Sequence, residues 1–283
     1  MEKAMHPKIL RYLERFFIYF ILLIGTWIMV FPFLWMVSTS FKSQYEAFSF
    51  PPSLIPQKPT LENYIRALTI VPFGRWFLNS FIVASATTLL VVVISSLAGY
   101  IFARKDFRWK EPLFYMFLIT LMIPGMVTII PNFILIRTLG LMDTYLGLIF
   151  PYTSWNLAMS IYILRNFFSA IPQSIEDSAR IDGCSELGIF LKIMLPLAKP
   201  GIATIAIFSF LYGWDEFTWA LTATSSLHMR TLAVGLALFH GKYLTLWTLL
   251  SAGMVIATIP PVIVFILFQK YFIPNLMAGA IKG

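Results

Sequence analysis

Five stretches of this chain, 16–41, 76–103, 112–136, 144–164 and 243–269, contain no Lys, Arg, Asp or Glu, and a sixth, 200–223, is interrupted only by Asp215 and Glu216. A helix needs ~20 apolar residues to cross the hydrocarbon core of a bilayer, and every run is long enough. At 59% hydrophobic and 12% charged residues, the rest of the chain cannot supply the polar surface that a water-soluble domain needs. The runs lack the alternation of barrel strands, which leaves helices as the spanning solution. The expected fold is therefore all-α and polytopic. Its six transmembrane helices fall at about 16–38, 77–102, 112–131, 145–164, 201–223 and 247–268. Residues 1–15 form an N-terminal tail, 16–283 a single transmembrane domain, 165–200 its largest loop and 269–283 a C-terminal tail. The first apolar run exceeds the ~7–15 residues of a signal-peptide core, so it reads as a retained span.

Orientation follows from the basic residues. With the N-terminus inside, 14 of the 21 Lys and Arg lie in the N-terminal tail, the 103–111 turn, the 165–199 loop and the C-terminus. The outer loops hold the other seven: Lys42, Lys58, Arg66, Arg75, Arg137, Arg230 and Lys242. That bias predicts an N-in, C-in topology. It also accounts for the net charge of +8 as a membrane signal, with lipid rather than nucleic acid as the partner. The single Cys184 excludes a disulfide framework within the chain.

Proline marks the irregular places. Phe50-Pro-Pro-Ser-Leu-Ile-Pro-Gln-Lys-Pro59 reads as an extended crossing, after which Thr60 is placed to cap a short interfacial helix through Leu61, Tyr64, Ile65 and Leu68. Pro124 and Pro131 predict a kink or an early helix end in the third run. The polar loop 172–200 holds four of the chain's 13 acids: Glu176, Asp177, Asp182 and Glu186. Ser174 and Asp177 have capping-box spacing, Gly183 can take the left-handed conformation that ends a helix, and Ser185 can cap a second one. Pro196 is expected to stop that second helix and Pro200 to open the fifth span. The first helix places Ile175, Ser178, Ala179 and Asp182 on one side, with Arg180 and Ile181 elsewhere. Its apolar side is too small for firm lipid binding and better suits a protein groove.

Asp177-Ser-Ala, three residues, Gly183, nine residues, Ile193, one residue, Leu195-Pro196 resembles the EAA loop of importer-type ABC transporter permeases, Glu-Ala-Ala-x3-Gly-x9-Ile-x-Leu-Pro. Asp177 and Ser178 replace the family's Glu and first Ala. Glu62-Asn-Tyr64, Asn79-Ser80, Leu139-Gly-Leu141, Trp214-Asp-Glu-Phe217 and Ala278-Gly-Ala-Ile-Lys-Gly283 extend the resemblance over nearly the whole chain, to the shorter six-helix permease of maltose-type carbohydrate importers.

The resemblance implies that Glu176, Asp177, Ser178, Ala179, Arg180, Ile181, Asp182 and Gly183 dock on a separate ATPase. The tail residues Ala278, Gly279, Lys282 and Gly283 provide a second contact. It further implies a second permease chain in a heterodimer, two ATPase subunits that hold ATP and Mg, an extracytoplasmic solute-binding protein, and a prokaryotic inner (plasma) membrane. This chain would itself bind no cofactor and catalyse nothing.

Asp215 and Glu216 are the only charges within an expected span, ~21 Å along it from Gly201. Lipid exposure there costs several kcal/mol, so both carboxylates should face protein or water. With Tyr212, Trp214, Phe217 and Trp219 around them they form a candidate lining for a sugar pathway, since aromatic rings suit the apolar faces of sugars. A structural tie between subunits is the competing reading. His6, His228 and His240 have no metal-ligand spacing, and no Gly-x4-Gly-Lys-Ser/Thr loop occurs. The solute expected is a di- or oligosaccharide, with glycerol phosphate as the alternative. A proton-driven secondary transporter and a membrane enzyme using Asp215 and Glu216 are rivals from other classes.

Overall fold

The computed structural model of the chain describes residues 7–241 and 245–280, with side chains over 12–241 and 245–271. Within these residues the regular structure is helical, apart from one isolated bridge between His240 and Thr245. Two compact units divide the chain, residues 1–71 with 239–256 and residues 72–238 with 257–283.

The first unit holds α1 (Pro7–Ser40), α2 (Gln44–Ala47) and α3 (Glu62–Thr69). The apolar window of α1 is uncovered by the rest of the chain, as expected of a helix whose neighbours are lipid or another protein. Its last carbonyls have no partner within the helix, and Asn63 supplies one. The buried Asn63 amide donates to Ser40 O (2.8 Å) and Lys42 O (2.7 Å). This fixes the face that α3 presents. Asn63 and Ala67 turn inward; of the stripe expected from sequence, Leu61, Ile65 and Leu68 point outward, while Tyr64 is half-buried with its hydroxyl 2.7 Å from Ser40 Oγ. The Thr60 hydroxyl accepts from Glu62 N (3.1 Å) at the start of α3. At the chain's other crossing of this unit, the Gln44 amide donates to Thr245 O (3.1 Å) and Gln44 Oε1 accepts from Thr248 (3.0 Å).

The second unit contains α4 (Phe73–Arg104), α5 (Lys110–Thr120), a 3₁₀ turn (Gly125–Thr128), α6 (Ile129–Thr138), α7 (Tyr145–Ala170), α8 (Gln173–Ile181) and α9 (Glu186–Ile189). A π-helical turn (Phe190–Met194) leads to α10 (Leu195–Leu197), then α11 (Lys199–Asp215), α12 (Thr218–Ala223) and α13 (Leu232–Leu236). A long α14 (Trp247–Ala280) begins in the first unit and enters the second at Ala257. It carries Ala278 and Gly279 on its final turn, well past the expected span end at 268; Lys282 and Gly283 lie outside the described residues.

Packing of the second unit centres on α4, α7 and α11. Gly99 lets α4 approach α7 closely: a Cβ there would sit 2.9 Å from Leu164 Cβ and 3.1 Å from Arg165 N. Two clusters occupy opposite ends of α4. Val83 packs with Leu148, Tyr152 and Trp219 at one end, and Tyr100 with Leu164, Phe168 and Phe190 at the other. Seventeen residues of helix separate Val83 from Tyr100, about 25 Å.

Three described helices are long and apolar enough to cross a membrane: Tyr12–Ser40, Phe73–Arg104 and Trp247–Tyr271. Two further pairs qualify only as bent spans. The third run, expected as one helix over 112–131, is broken: α5 stops at Thr120, and the chain bends by 94° before Gly125–Thr138. Pro124 is the reason, because it cannot donate the hydrogen bond that would continue α5 and it disfavours helix in the residue before it. The fifth run, expected over 201–223, also breaks, since α11 ends at Asp215 and α12 starts afresh at Thr218. The 26 residues of α7 are long enough but more polar, because α7 is the inner helix. Its Thr153 and Asn156 side chains bond to Ile149 O and Tyr152 O of the preceding turn.

The α4–α7 contact makes a direct prediction. Gly99→Leu places atoms inside Leu164 and should cost about 1–3 kcal/mol by overpacking. It should lower the melting temperature of the purified chain in detergent, whereas Gly25→Leu, where a Cβ meets nothing within 4 Å, should not.

Candidate functional site: a capped loop helix and an aromatic cavity

Local sequence chemistry builds the loop. Pro172, with φ −59°, sets the entry into α8 without a side-chain cap, so the helix starts at Gln173 and Ser174 falls inside it rather than capping it. The exit matches expectation. Gly183 has φ +81°, its N–H bonds to Arg180 O (3.1 Å), and Cys184 N–H reaches Ala179 O (2.9 Å). Those two bonds form a Schellman closure. The Ser185 hydroxyl then accepts from Gly188 N (3.2 Å) and caps α9.

Pro196 does not end the second helix. The π turn before it closes with Leu195 N–H on Phe190 O, and this wider turn accommodates a proline that lacks its own donor. The chain turns by 74° only after Leu197, and Pro200 sits in the first turn of α11 as expected.

Two residues of α8 face inward, Glu176 at 2% exposure and Ala179 at 6%. Asp177, Ser178, Asp182 and Gly183 are exposed, as is Ile181 at 87%. Of the expected side of Ile175, Ser178, Ala179 and Asp182, only Ala179 turns inward, and a carboxylate rather than an apolar stripe holds the helix down. Glu176 Oε1 pairs with Arg104 Nε at 2.7 Å, and Oε2 accepts from Tyr100 Oη (3.1 Å) and Arg180 Nη2 (3.4 Å). Arg104 Nη2 also donates to Ile171 O, at the end of α7. Arg180 reaches Asp177 (2.8 Å) and Glu186 (2.8 Å), and Glu186 also takes Lys105 Nζ at 2.5 Å. The Arg180 hydrogen bond, then that of Lys105, holds the Glu186 carboxyl down at about 2. Glu186 is thus ionised at any physiological pH.

Far along the unit, the break after α11 is closed by Glu216. Its Oε1 accepts from Trp219 N (2.8 Å), and its Oε2 accepts from Ala220 N (3.0 Å) and from Tyr152 Oη (2.5 Å). The carboxylate thereby satisfies the free N–H groups at the start of α12.

Two adjoining hollows lie beside it and share Gly125, Trp155 and Tyr212. One, of about 240 Å³, is bounded by Glu216, Thr218 and Trp219; the other, of about 490 Å³, by Thr120, Thr128, Asn132 and Ser154. Trp155 and Tyr212 meet edge to face with centroids 6.5 Å apart, and Trp155 meets Trp219 at 6.0 Å. Among the described residues, no Lys or Arg lines either hollow.

Of the residues expected to line a pathway, Glu216 and Trp219 border this space, and Trp219 is buried with its indole N–H on Gly147 O (2.9 Å). Trp214, Asp215 and Phe217 do not. Trp214 is a core residue, stacked on Phe210 and donating to Ala257 O (3.1 Å), while Asp215 and Phe217 are exposed elsewhere. Trp155, Asn132 and Ser154 were missed, because inside uncharged runs they carry no signal distinct from ordinary span residues.

Residues 92–277 match the family described as binding-protein-dependent transport system inner membrane component. The trehalose/maltose transport system permease protein MalG of Thermococcus litoralis is 39% identical over 272 residues, which cover 93% of this chain and 96% of that protein. The arabinooligosaccharides transport system permease protein AraQ of Halalkalibacterium halodurans is 38% identical, covering 90% and 92%. The sulfoquinovosyl glycerol transport system permease protein SmoH of Agrobacterium fabrum is 35% identical, covering 90% and 89%.

In the crystal structure of a bacterial ABC transporter involved in import of the acidic polysaccharide alginate, one chain superposes with a TM-score of 0.82 at 23% identity, over 95% of this chain and all of that one. A second alginate transporter structure, in complex with an alginate pentasaccharide-bound periplasmic protein, gives 0.64 at 11% identity, covering 92% and 95%. At these identities the two structures establish the fold.

Capping by Glu216 is testable. Glu216→Ala leaves two helix N–H groups and a tyrosine hydroxyl without an acceptor, and should cost about 1–3 kcal/mol. A thermal scan in detergent should show a lowered melting temperature for Glu216→Ala and none for Asp215→Ala. Equal behaviour of the two variants would rule the cap out.

Proposed function

This chain belongs to the family of binding-protein-dependent transport system inner membrane components, and we propose on that premise that it forms half of the translocation pathway of an ATP-driven importer for a neutral di- or oligosaccharide. The observation that carries the coupling half of this reading is α8. It is a short helix closed at its end by Gly183, anchored inward by Glu176, and presenting Asp177, Ser178, Ile181 and Asp182 outward. An outward surface of two apolar side chains, Ile175 and Ile181, among small and acidic ones suits a groove on a separate ATPase subunit. ATP and Mg belong on two such subunits. The Ala278–Gly283 tail is a second contact with them.

Six crossings follow if α1, α4, α7 and α14 each span once and the two bent pairs each span once. The distribution of basic residues orients both termini to the cytoplasm of a prokaryotic cell. A second permease chain supplies the other half of the pathway, and an extracytoplasmic solute-binding protein delivers the solute. The named relatives that support a sugar substrate are permeases of trehalose/maltose and arabinooligosaccharide systems.

The pathway wall of this chain is the hollow around Trp155, Tyr212, Asn132 and Glu216. Ring faces with amide, hydroxyl and carboxylate groups at their edges match a pyranose, which has apolar faces and polar rims. The lack of any Lys or Arg in the lining disfavours glycerol phosphate. Glu216 is committed to two helix N–H groups and a tyrosine hydroxyl, which argues against its use as a proton carrier or catalytic acid.

In proteoliposomes holding both permeases and the ATPases, with solute-binding protein outside, labelled maltose or an arabino-oligosaccharide should accumulate only when ATP is present. Gly183→Val forces a β-branched residue into a left-handed position, at about 1–2 kcal/mol. It should abolish that uptake while the membrane bundle melts as before. Uptake without the ATPases that collapses with the proton gradient would overturn the proposal in favour of a secondary transporter.

A further inference from the structure

We propose that the Arg104–Glu176 ion pair is the contact through which movement of α8 enters the membrane bundle, with both residues positioning the loop helix against the end of α4. This rests on the reading of α8 as an ATPase-docking helix. That helix joins the chain at two corners, Pro172 and Gly183. Between them it turns only Glu176 and Ala179 inward. Ala179 offers a single methyl to the Tyr100, Phe168 and Phe190 cluster, which gives little lateral grip. Glu176 is held from α4 by two groups one turn apart, Arg104 at 2.7 Å and the Tyr100 hydroxyl at 3.1 Å.

The pair is unlike the other ion pairs of the junction. The Arg104 and Glu176 side chains are 9% and 2% exposed, whereas in Lys105–Glu186 both partners are at least 40% exposed, and in Arg180–Asp177 the aspartate is 55% exposed. Exposed pairs are screened and hold little, while a buried pair that loses one partner leaves a charge poorly compensated: without Arg104, Glu176 keeps only the partly exposed Arg180 at 3.4 Å and the Tyr100 hydroxyl. A buried pair adds little stability over an apolar contact of the same size. What it gains is one allowed register, since sliding α8 along α4 separates the charges.

Arg104 also donates to Ile171 O, so a single guanidinium joins the ends of α4 and α7 to the loop helix. From Arg104, α4 runs 32 residues without interruption. Its far part carries Val83, which packs with Tyr152 and Trp219 beside the Glu216 cap. One straight element therefore links the docking helix to the wall of the proposed pathway, which is the physical continuity that coupling between distant sites requires.

The test uses the assembled importer in proteoliposomes, reading maltose transported per ATP hydrolysed. Glu176→Gln keeps the shape and removes the charge; Arg104→Gln removes the partner's charge with a shorter side chain. Each single variant should lower that ratio about tenfold. The exchange of the two charges, Glu176→Arg with Arg104→Glu, made together with Arg180→Gln so that position 176 does not face a like charge, should recover part of it relative to Arg180→Gln alone, a rescue that a purely packing role would not give. Single variants that transport at the wild-type ratio overturn the proposal, as does an exchanged protein as impaired as the singles. Should the singles fail to co-purify with the ATPase, the exchanged protein decides: coupled transport supports the ion pair, and failure to assemble or to couple overturns it. A wild-type complex without ATP-dependent uptake would instead remove the reading of α8 on which the proposal stands.

Discussion

Hydrocarbon offers no partner to a backbone N–H or C=O, so each interruption of a spanning helix has to be closed by the protein itself. Most of the polar chemistry in this chain follows from that constraint. The end of α1 is met by the Asn63 amide, and the start of α12 by the Glu216 carboxylate. The α8 corner is closed by its own glycine turn. Each closure fixes something beyond itself. Asn63 determines which face α3 turns inward, and Glu216 draws Tyr152 of α7 to the break beside the aromatic hollow. Breaking helices inside a membrane protein thus opens a cavity and at the same time obliges a polar group to stand in its wall.

The two ends of α4 meet different demands. At the end that carries Val83, the neighbours are aromatic, and polarity enters through single hydrogen bonds to a carboxylate or carbonyl. At the Arg104 end, three carboxylates, Glu176, Asp177 and Glu186, and three cations, Arg104, Lys105 and Arg180, share their bonds. Such a network adds modestly to stability where it is exposed. Its use is directional: it defines how a short, otherwise weakly anchored helix sits on the bundle.

What the sequence reveals follows how local each cause is. The Gly183 corner, the Ser185 cap and the proline break near Pro124 depend on residues within a few positions, and all three are legible. The inward turn of Glu176 depends on Tyr100, 76 residues away, and the periodicity of α8 points to a different face. The break after Asp215 is hidden because α12 is as apolar as the helix before it, so the run reads as one span. Trp155 and Asn132 acquire meaning only once Pro124 has folded the third run beside α7 and α11. The polarity of α7, which dilutes its hydropathy, is the mark of a central helix whose hydroxyls and amides are satisfied within it.

The π turn at Phe190–Met194 holds one residue more than an α-turn would, since its closing bond skips five positions instead of four. Every residue beyond it is advanced by about 100° around the axis. The bend after Leu197, and with it the heading of α11 and of the break it leads to, is therefore set by a count of residues as much as by their identity. Removing one residue between Glu186 and Ala198 would re-aim the helix that carries Tyr212 and leads to Glu216. The length of this stretch is therefore as much a constraint on the fold as the residues in it.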